Sequence, residues 1–254
     1  IGPSFGTDVE KMLVNVAEQL GAKGTICYQE EALGTAHAIL CAQEALDGKT
    51  IIAFADTLFR ADFKLDDDAD GIIWVQQIED PSAFGVIKLD ENNVITDFVE
   101  KPEEFVSDLA IIGIYYVKDG ASLKAELNYL IENDIKDKGE YQLTNALEAL
   151  KQKGTRFVPG QVKEWLDCGN YSATVYTNQR VLEFIKGDEK MVADSVKSSN
   201  SIIIEPCLIG EGVQIDNSIV GPHVTLSSGS KVVNSILKNS IVYENTTIEN
   251  EIIE

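Results

Sequence analysis

The sequence has little positive charge and no long apolar run, and each shortage excludes a class of partner. It carries 21 lysines and arginines against 42 aspartates and glutamates, a formal net charge of −21. A chain this acidic repels phosphate backbones and anionic lipids, so we expect no nucleic acid and no membrane as partner. No apolar run is long enough to span a bilayer and no signal peptide is visible, which predicts a cytoplasmic protein.

Histidine and cysteine, the side chains that bind structural zinc, are also scarce. The histidines are His37 and His223, and the four cysteines show no Cys-x-x-Cys spacing. Because structural zinc sites use such spacings, we expect no structural zinc and reduced thiols. An anionic substrate would need local lysine or arginine, a helix N-terminus or a divalent cation to overcome the negative field.

Residues 84–102, FGVIKLDENNVITDFVEKP, predict a β-hairpin with a charged pair at its end. The pattern gives a strand, a polar turn and a second strand over residues 84–89, 90–93 and 94–99. Gly85 has no Cβ and lets a ligand approach the backbone. Glu100 can accept hydrogen bonds from sugar hydroxyls and Lys101 can meet a phosphate. The hairpin therefore suits a phosphorylated sugar, although a strand end that is merely exposed to solvent could have the same Glu-Lys-Pro sequence.

Two aspartates follow strand patterns. Ile51–Ala55 is a continuous apolar run that predicts a buried parallel strand ending at Asp56. A carboxylate there is well placed to bind Mg²⁺, or alternatively to cap the following loop. A later strand over residues 162–166 ends in the same way at Asp167. An acidic run between them is expected to be a solvated surface and comprises Asp66, Asp67, Asp68 and Asp70.

A polar loop, QEEALGTAHA over residues 29–38, separates a predicted strand at Thr25–Tyr28 from a predicted helix running to about Leu46. Such strand-loop-helix junctions are where α/β sheets bind ligands, although Gly-Thr before a helix is often only a cap. His37 falls in the first turn of this helix, where we expect a structural or solvent-facing role.

The remaining patterns predict an alternation of helices and strands. Gly113 lies in the middle of a buried strand and leaves room beside it. The predicted strands cover residues 72–75, 109–117 and 157–158, and the predicted helices cover about residues 7–20, 122–131, 145–152 and 171–185.

The C-terminal part has a different, repetitive pattern. Asn-Ser-Ile recurs at Asn200, Asn217 and Asn234, a spacing of 17, with aliphatic residues at intervals of six, six and five. This period predicts about three stacked coils with three short faces each over residues 200–254, after a polar linker over residues 188–199. So short a solenoid has an open end that another subunit would cover, which predicts a homo-oligomer. His223 is expected to be a turn residue.

Together these motifs resemble the sugar-1-phosphate nucleotidylyltransferases. The hairpin is similar to the family's Tyr-Gly-Val and Glu-Lys-Pro strands, with Phe84 in place of tyrosine. Gln29 and Gly34 have the spacing of the residues that contact the nucleotide base. Trp165-Leu166-Asp167-Cys168-Gly169 and Phe54-Ala55-Asp56-Thr57 resemble the two metal-binding segments, and Gly139-Glu140-Tyr141-Gln142-Leu143-Thr144 resembles a segment that approaches the sugar. The C-terminal repeat resembles the hexapeptide repeat of left-handed parallel β-helices.

The resemblance implies a Rossmann-like α/β nucleotidyltransferase domain over residues 1–187, followed by a left-handed β-helix over residues 200–254. It implies transfer of a nucleotidyl group from a nucleoside triphosphate to a sugar 1-phosphate with release of pyrophosphate. The implied catalytic residues are Lys101, Asp56 and Asp167, with Mg²⁺ bound by the two aspartates. The implied substrate-binding residues are Gln29, Gly34, Gly85, Glu100, Lys101, Gly113 and Glu140.

The resemblance is greatest to members that transfer a thymidylyl group to glucose 1-phosphate, while uridylyl or guanylyl transfer stays open. The family's first strand and its Gly-Gly-x-Gly-Thr-Arg triphosphate loop do not occur in the sequence. Either an N-terminal segment lies outside this sequence, or the protein is a non-catalytic regulatory or scaffold homologue. Retention of both aspartates and of Glu100 and Lys101 favours an enzyme.

Overall fold

A computed structural model describes residues 1–62, 65–66 and 68–254. Asp67 of the acidic run lies outside these ranges. The chain divides into two compact units, which are described separately. The first comprises residues 1–55 and 59–165, and the second comprises residues 56–58 and 166–254. None of the helices within the described ranges is both long and apolar enough to cross a bilayer.

The elements up to residue 185 are a mixture of helices and strands, as the sequence predicts. The helices are α1 (Gly6–Gln19), α2 (Thr35–Leu40), α3 (Gly120–Glu132), α4 (Leu143–Gln152) and α5 (Tyr171–Ile185). The strands are β1 (Thr50–Ala53), β2 (Thr57–Arg60), β3 (Gly71–Gln77), β4 (Val86–Leu89), β5 (Ile95–Val99), β6 (Leu109–Val117), β7 (Phe157–Gln161) and β8 (Glu164–Asp167).

The first unit is built on a six-stranded mixed sheet with the order β5-β4-β6-β3-β7, in which β1 also pairs with β6. The apolar strand β6 is central and runs antiparallel to β1, β3 and β4, while β3 and β7 are parallel. Alternate side chains of β3 enter two separate cores: Ile73 and Val75 enter one, and Ile72 and Trp74 enter the other. This two-sided burial explains the nearly continuous apolar sequence of the central strands.

The predicted hairpin is confirmed, with slightly shorter strands. β4 and β5 are antiparallel, and the polar turn between them is closed by Asp90. Its carboxylate oxygen Oδ1 accepts hydrogen bonds from the backbone N–H groups of Asn92 and Val94, both at 2.9 Å. Asn93 adopts the left-handed conformation, with φ +61°. These are turn residues acting by their usual local chemistry, which is why the sequence predicted the hairpin well.

Three sequence-based predictions in the first unit are wrong. Residues 25–28 do not form a strand, because among the described residues only Ile1 pairs with the backbone here. The Ile1 amino group donates to the Cys27 carbonyl and the Ile1 carbonyl accepts from Gln29 N–H, both at 2.9 Å. β1 is antiparallel rather than parallel, and it is not fully buried, since Ile51 is 53% exposed. The helix predicted to reach residue 46 ends at Leu40, because tighter bonds between residues three apart replace the α-helical ladder.

The second unit contains α5 and a parallel β-solenoid of about three turns. Its strands are β9 (Lys197–Ser199), β10 (Ile202–Ile203), β11 (Cys207–Ile209), β12 (Gln214–Asp216), β13 (Ile219–Val220), β14 (Val224–Leu226), β15 (Lys231–Val233), β16 (Ile236–Leu237), β17 (Ser240–Val242), β18 (Thr247–Glu249) and β19 (Ile252–Ile253). They form three faces, β10-β13-β16-β19, β11-β14-β17 and β9-β12-β15-β18. Strand β9 carries the parallel pairing back into the predicted linker.

The predicted interval of six, six and five residues is confirmed by the solenoid core. The aliphatic residues at these positions point inward and are buried, apart from the partly buried Ile203: Ile209, Ile215, Val220, Leu226, Val232 and Leu237. The recurring asparagines stack at one corner. Asn200 donates to Asn217 and Asn217 to Asn234, with Nδ2–Oδ1 distances of 2.8 Å in both cases. All three have positive φ, which asparagine tolerates better than most residues.

Candidate functional site

The end of the hairpin brings Gly85 against Glu100. The backbone N–H of Lys101 donates to the Phe84 carbonyl at 3.1 Å, and the Gly85 carbonyl accepts from Ile111 N–H at 2.8 Å. A Cβ added at Gly85 would lie 3.1 Å from Glu100 Oε2, tighter than ordinary van der Waals contact. The absence of a Cβ at Gly85 therefore lets the side chains of Glu100, Thr144 and Ile111 pack closely against its backbone. The approach of a ligand at Gly85 stays a prediction.

Thr144 fixes the position of the Glu100 carboxylate. The Thr144 hydroxyl donates to Glu100 Oε2 at 3.0 Å, and Thr144 is only 4% exposed. Burial raises the pKa of Glu100, and the Thr144 hydrogen bond and the nearby charge of Lys101 oppose that rise. Sequence reasoning did not select Thr144, although it is the last residue of the Gly-Glu-Tyr-Gln-Leu-Thr segment.

Lys101 lies in the left-handed region with φ +39°, and its side chain is exposed. The Lys101 carbonyl accepts a hydrogen bond from the ammonium group of Lys138, a residue that the sequence analysis did not select. The strand end thus carries two lysines beside a half-buried carboxylate. Asp137 also lies close enough to raise the pKa of Glu100, so positive charge does not dominate the strand end. Lys101 and Lys138 are the groups there that could bind a phosphate.

The loop predicted to contact the base is held by its own side chains. Gln29 Nε2 lies 3.1 Å from the Gly34 carbonyl and 3.1 Å from His37 Nδ1. Gly34 has φ +110°, and a Cβ there would lie 2.5 Å from the Tyr141 carbonyl oxygen. Only glycine fits this position, because any side chain would be both strained and in collision.

The same loop is tied to the segment that ends at Thr144. Ala36 N–H donates to the Tyr141 carbonyl, and Leu143 N–H donates to the Thr35 hydroxyl, both at 2.9 Å. Residues 29–37, Gly85, Glu100 and residues 140–144 therefore form one connected region of the first unit. Glu140 lies in it, exposed, with its Oε2 accepting from Gln142 Nε2 at 3.1 Å.

Gly113 lies in the neighbouring part of β6. It has φ +83°, and the pairing of β3 with β6 shifts register opposite it, between Ile73 and Val75. The Gly113 carbonyl accepts from Phe54 N–H at 3.0 Å. Gly113 is thus a bulge residue two positions after Ile111, which binds the Gly85 carbonyl.

Asp56 and Asp167 belong to the second unit, where their backbones are adjacent. The Asp56 carbonyl accepts from Cys168 N–H at 2.8 Å, and β2 and β8 form a two-stranded sheet. Asp167 Oδ1 accepts from Gly169 N–H at 3.1 Å, and the Asp167 carbonyl accepts from the Thr177 hydroxyl of α5 at 2.7 Å. Among the residues that the structure describes, none donates a hydrogen bond to the Asp56 carboxylate or to Asp167 Oδ2, so these oxygens could bind other ligands.

The donor set of this pair fits Mg²⁺ better than a structural metal. Both groups are carboxylates, and Mg²⁺ is commonly bound by one or two carboxylates together with water and substrate phosphates. Over the described ranges, no cluster of three or more His, Cys, Asp or Glu side chains could hold a metal ion. A cation at the two aspartates would therefore take most of its ligands from water or substrate.

Comparison with known proteins gives one family. A family model described as nucleotidyl transferase matches residues 9–183. A glucose-1-phosphate thymidylyltransferase of Streptomyces antibioticus is 28% identical over 254 residues, covering 91% of this chain and 69% of that protein. Its counterpart in Streptomyces griseus is 26% identical over 272 residues, covering 98% and 75%.

A bifunctional protein GlmU of Methanococcus maripaludis is 30% identical over 243 residues, which cover 87% of this chain and 57% of that protein. Among solved structures, a Bacillus anthracis protein assigned as a glucose-1-phosphate thymidylyltransferase was determined at 2.76 Å with sucrose. It has a TM-score of 0.53 and 22% identity, with coverage of 67% of this chain and 70% of that chain. At this identity the similarity shows a common fold.

Proposed function

The chain belongs to the nucleotidyl transferase family, and we propose that it transfers a nucleotidyl group from a nucleoside triphosphate to a sugar 1-phosphate. We propose dTTP and glucose 1-phosphate as the substrates, because the two Streptomyces relatives carry that activity in their names. The observation that carries the proposal is the contact of Gly85 with Glu100 and Thr144 at the end of the hairpin.

In this proposal the hairpin end binds the sugar phosphate. The half-buried Glu100 carboxylate accepts hydrogen bonds from sugar hydroxyls, and Gly85 leaves room for the ring. Lys101 binds the phosphate, with Lys138 adding positive charge nearby. Gly113 and Glu140 contribute to the same sugar site, and Gln29 and Gly34 contact the base.

The reaction is a phosphoryl-type displacement. A phosphate oxygen of the sugar 1-phosphate forms a bond to the α-phosphorus, and the bond from that phosphorus to the bridging α,β-oxygen breaks. The electron pair leaves with pyrophosphate, and no oxidation or reduction takes place. We propose that Asp56 and Asp167 bind Mg²⁺, which when present neutralises phosphate charge. The protein residues contribute by binding and orienting the two substrates.

Experiments can distinguish the proposed function from two alternatives, a different nucleotide donor and a non-catalytic homologue. The Leu-Gly-Thr-Ala-His-Ala loop is similar to that of uridylyl-transferring members, so UTP competes with dTTP as the proposed donor, and GTP is a further candidate. A non-catalytic homologue would bind nucleotide and sugar phosphate and release no pyrophosphate. The presence of both aspartates favours a catalytic protein, because a scaffold has no need of two metal-binding carboxylates.

We also propose that the protein is a cytoplasmic homo-oligomer. Ile252 on β19 is 73% exposed. An isoleucine exposed to solvent favours association with a second copy. Light scattering after size exclusion should give a multiple of the chain mass, and Ile252→Lys should lower it; a monomeric wild type would contradict the proposal.

The experiment that tests the proposed function is a substrate panel. Pyrophosphate release is measured with dTTP, UTP, GTP, dCTP and ATP, each with glucose 1-phosphate and with other sugar 1-phosphates, and the nucleotide sugar is identified by mass spectrometry. We expect the highest kcat/KM for dTTP with glucose 1-phosphate. Binding of both substrates without pyrophosphate release would favour the non-catalytic homologue.

A further inference from the structure

His37 occupies a position that determines how Gln29 presents its side-chain amide. Gln29 Nε2 lies within hydrogen-bond distance of two atoms, the Gly34 carbonyl oxygen and His37 Nδ1, at 3.1 Å each. An amide nitrogen carries two hydrogens and has no lone pair to accept with. Both contacts are therefore donations from Gln29, and together they use both of its N–H bonds.

The Gly34 carbonyl and His37 Nδ1 together hold the amide nitrogen of Gln29 on this side. With the amide rotated by half a turn, Gln29 Oε1 would face the Gly34 carbonyl oxygen, and two acceptors would oppose each other. With the amide as found, His37 Nδ1 must accept, so the imidazole carries its proton on Nε2. The tautomer of His37 and the orientation of Gln29 are thus coupled.

Gln29 therefore has only its amide oxygen, Oε1, available to bind a ligand. Oε1 accepts no hydrogen bond from any residue within the described ranges, and Gln29 is only partly buried. An acceptor in this position matches a base edge that carries an N–H group, as thymine and uracil do at N3 and guanine at N1. Cytosine and adenine present a lone pair at the corresponding ring nitrogen, which would face Oε1 without a hydrogen.

We propose that His37 is a positioning residue for base selection, which holds the Gln29 amide so that its oxygen meets a base N–H and rejects cytosine and adenine. The proposal rests on the proposed function, in which Gln29 contacts the base. It adds to that function that discrimination between bases depends on the His37 tautomer with its proton on Nε2 and on the orientation of the Gln29 amide.

The test compares three variants by equilibrium binding of dTTP, UTP and dCTP, measured by calorimetry on the full chain. His37→Leu removes the acceptor. His37→Asn keeps one, because Asn Oδ1 is as many bonds from Cα as His Nδ1. His223→Leu is the matched control: it removes the chain's other imidazole, which lies in the solenoid 2.7 Å from Glu183.

We expect wild type, His37→Asn and His223→Leu to bind dTTP and UTP at least ~10-fold more tightly than dCTP. In His37→Leu we expect dTTP binding to weaken by ~10-fold and the preference over dCTP to fall, because only the Gly34 carbonyl still accepts from the Gln29 amide. Nitrogen NMR of the wild type should show an unprotonated His37 Nδ1. An unchanged preference in His37→Leu, a loss in His37→Asn equal to that in His37→Leu, or a protonated Nδ1 would overturn the proposal.

The same measurements separate this inference from the proposed function. Selective binding of dTTP without pyrophosphate release would refute the function and leave the role of His37 standing. Turnover of all five nucleotides at similar rates would leave the function standing and refute the role of His37. Failure to bind any nucleotide would overturn both.

Discussion

The hydroxyl of Thr144 donates a hydrogen bond of 3.0 Å to Oε2 of Glu100, a residue 44 positions away in the sequence. This bond joins the end of the hairpin to the first turn of α4, and it stabilises the charged form of a carboxylate whose pKa burial raises. Thr144→Val removes the donor while keeping the shape, so the pKa of Glu100 should rise further. Because an ionised Glu100 is needed to accept sugar hydroxyls, the acid limb of the kcat/KM profile should move to higher pH. The activity at neutral pH should fall by about 10-fold, and Thr144→Ser, which keeps the hydroxyl, should behave like wild type.

Glu100 itself should show a conflict between stability and function. The native state raises its pKa, so it holds the proton more tightly than the unfolded chain does. Stability should therefore decline as the pH rises from the unfolded pKa through the folded pKa. Glu100→Gln has no proton to lose and avoids this decline.

Urea unfolding should show Glu100→Gln at least as stable as wild type at pH 8, with the difference vanishing at low pH. The variant should lose about 10- to 100-fold in kcat/KM for the sugar phosphate, because a charged acceptor becomes a neutral one. A variant that is less stable than wild type at pH 8 and equally active would contradict both the electrostatic argument and the proposed role.

Gly85→Ala should reduce sugar binding with little effect on folding. The added Cβ would lie 3.1 Å from both Glu100 Oε2 and Thr144 Cγ2, so the carboxylate must shift by a few tenths of an ångström. We expect KM for the sugar phosphate to rise by about 10-fold, while KM for the nucleotide stays the same. Gly2→Ala is the control, since its Cβ would have no neighbour closer than 3.8 Å. Equal KM values in both variants would show that Gly85 does not face the sugar.

The asparagine ladder should stabilise the solenoid through both conformation and hydrogen bonds. Asn217 has φ +47° and both accepts from Asn200 and donates to Asn234. Asn217→Ala loses the amide and introduces backbone strain, whereas Asn217→Gly loses only the amide. We expect Asn217→Ala to lower the free energy of unfolding by roughly 2–4 kcal/mol and Asn217→Gly by about 1–2 kcal/mol. Denaturant titration measures the free energy of unfolding of both variants. Equal losses in the two variants would show that the backbone conformation of Asn217 does not contribute.

Local chemistry explains which parts of the fold were predictable. The turn at Asp90 and the inward aliphatics such as Ile215 and Val232 depend on neighbouring residues or on a strict period, and both were predicted correctly. The direction of β1 was not, because a short apolar run carries no information about its partner strand. Residues 25–28 have strand-like composition, but within residues 1–62, 65–66 and 68–254 only Ile1 pairs with this segment.

The candidate site was predictable only in part for a similar reason. Gly85, Glu100 and Gly34 stand in recognisable motifs, and the structure connects them in one region of the first unit. Thr144 and Lys138 act through contacts with residues distant in sequence, and His37 contacts Gln29 in the loop before its helix. Thr144 binds a carboxylate 44 positions away, and Lys138 binds a carbonyl 37 positions away. Such contacts depend on tertiary packing, which no single motif records.

The pair of aspartates should be needed for turnover and not for binding of the sugar. Asp56→Asn and Asp167→Asn remove a charge from a carboxylate pair while keeping its size. We expect each to lower kcat by about 100-fold or more, because the charge on the transferring phosphate is no longer offset. The dissociation constant for glucose 1-phosphate should change by less than about 3-fold. Full activity in either variant would contradict the assignment of the pair to metal binding.

The most direct measurement of the central claim is mass-spectrometric detection of a nucleotide sugar after incubation of the protein with dTTP, glucose 1-phosphate and Mg²⁺. Asp167→Asn, prepared in parallel, shows whether any product comes from a contaminating enzyme. The proposed function predicts dTDP-glucose and one pyrophosphate per product with wild type, and almost none with the variant. Bound nucleotide and bound sugar phosphate without any nucleotide sugar would contradict it and identify a non-catalytic member of the family.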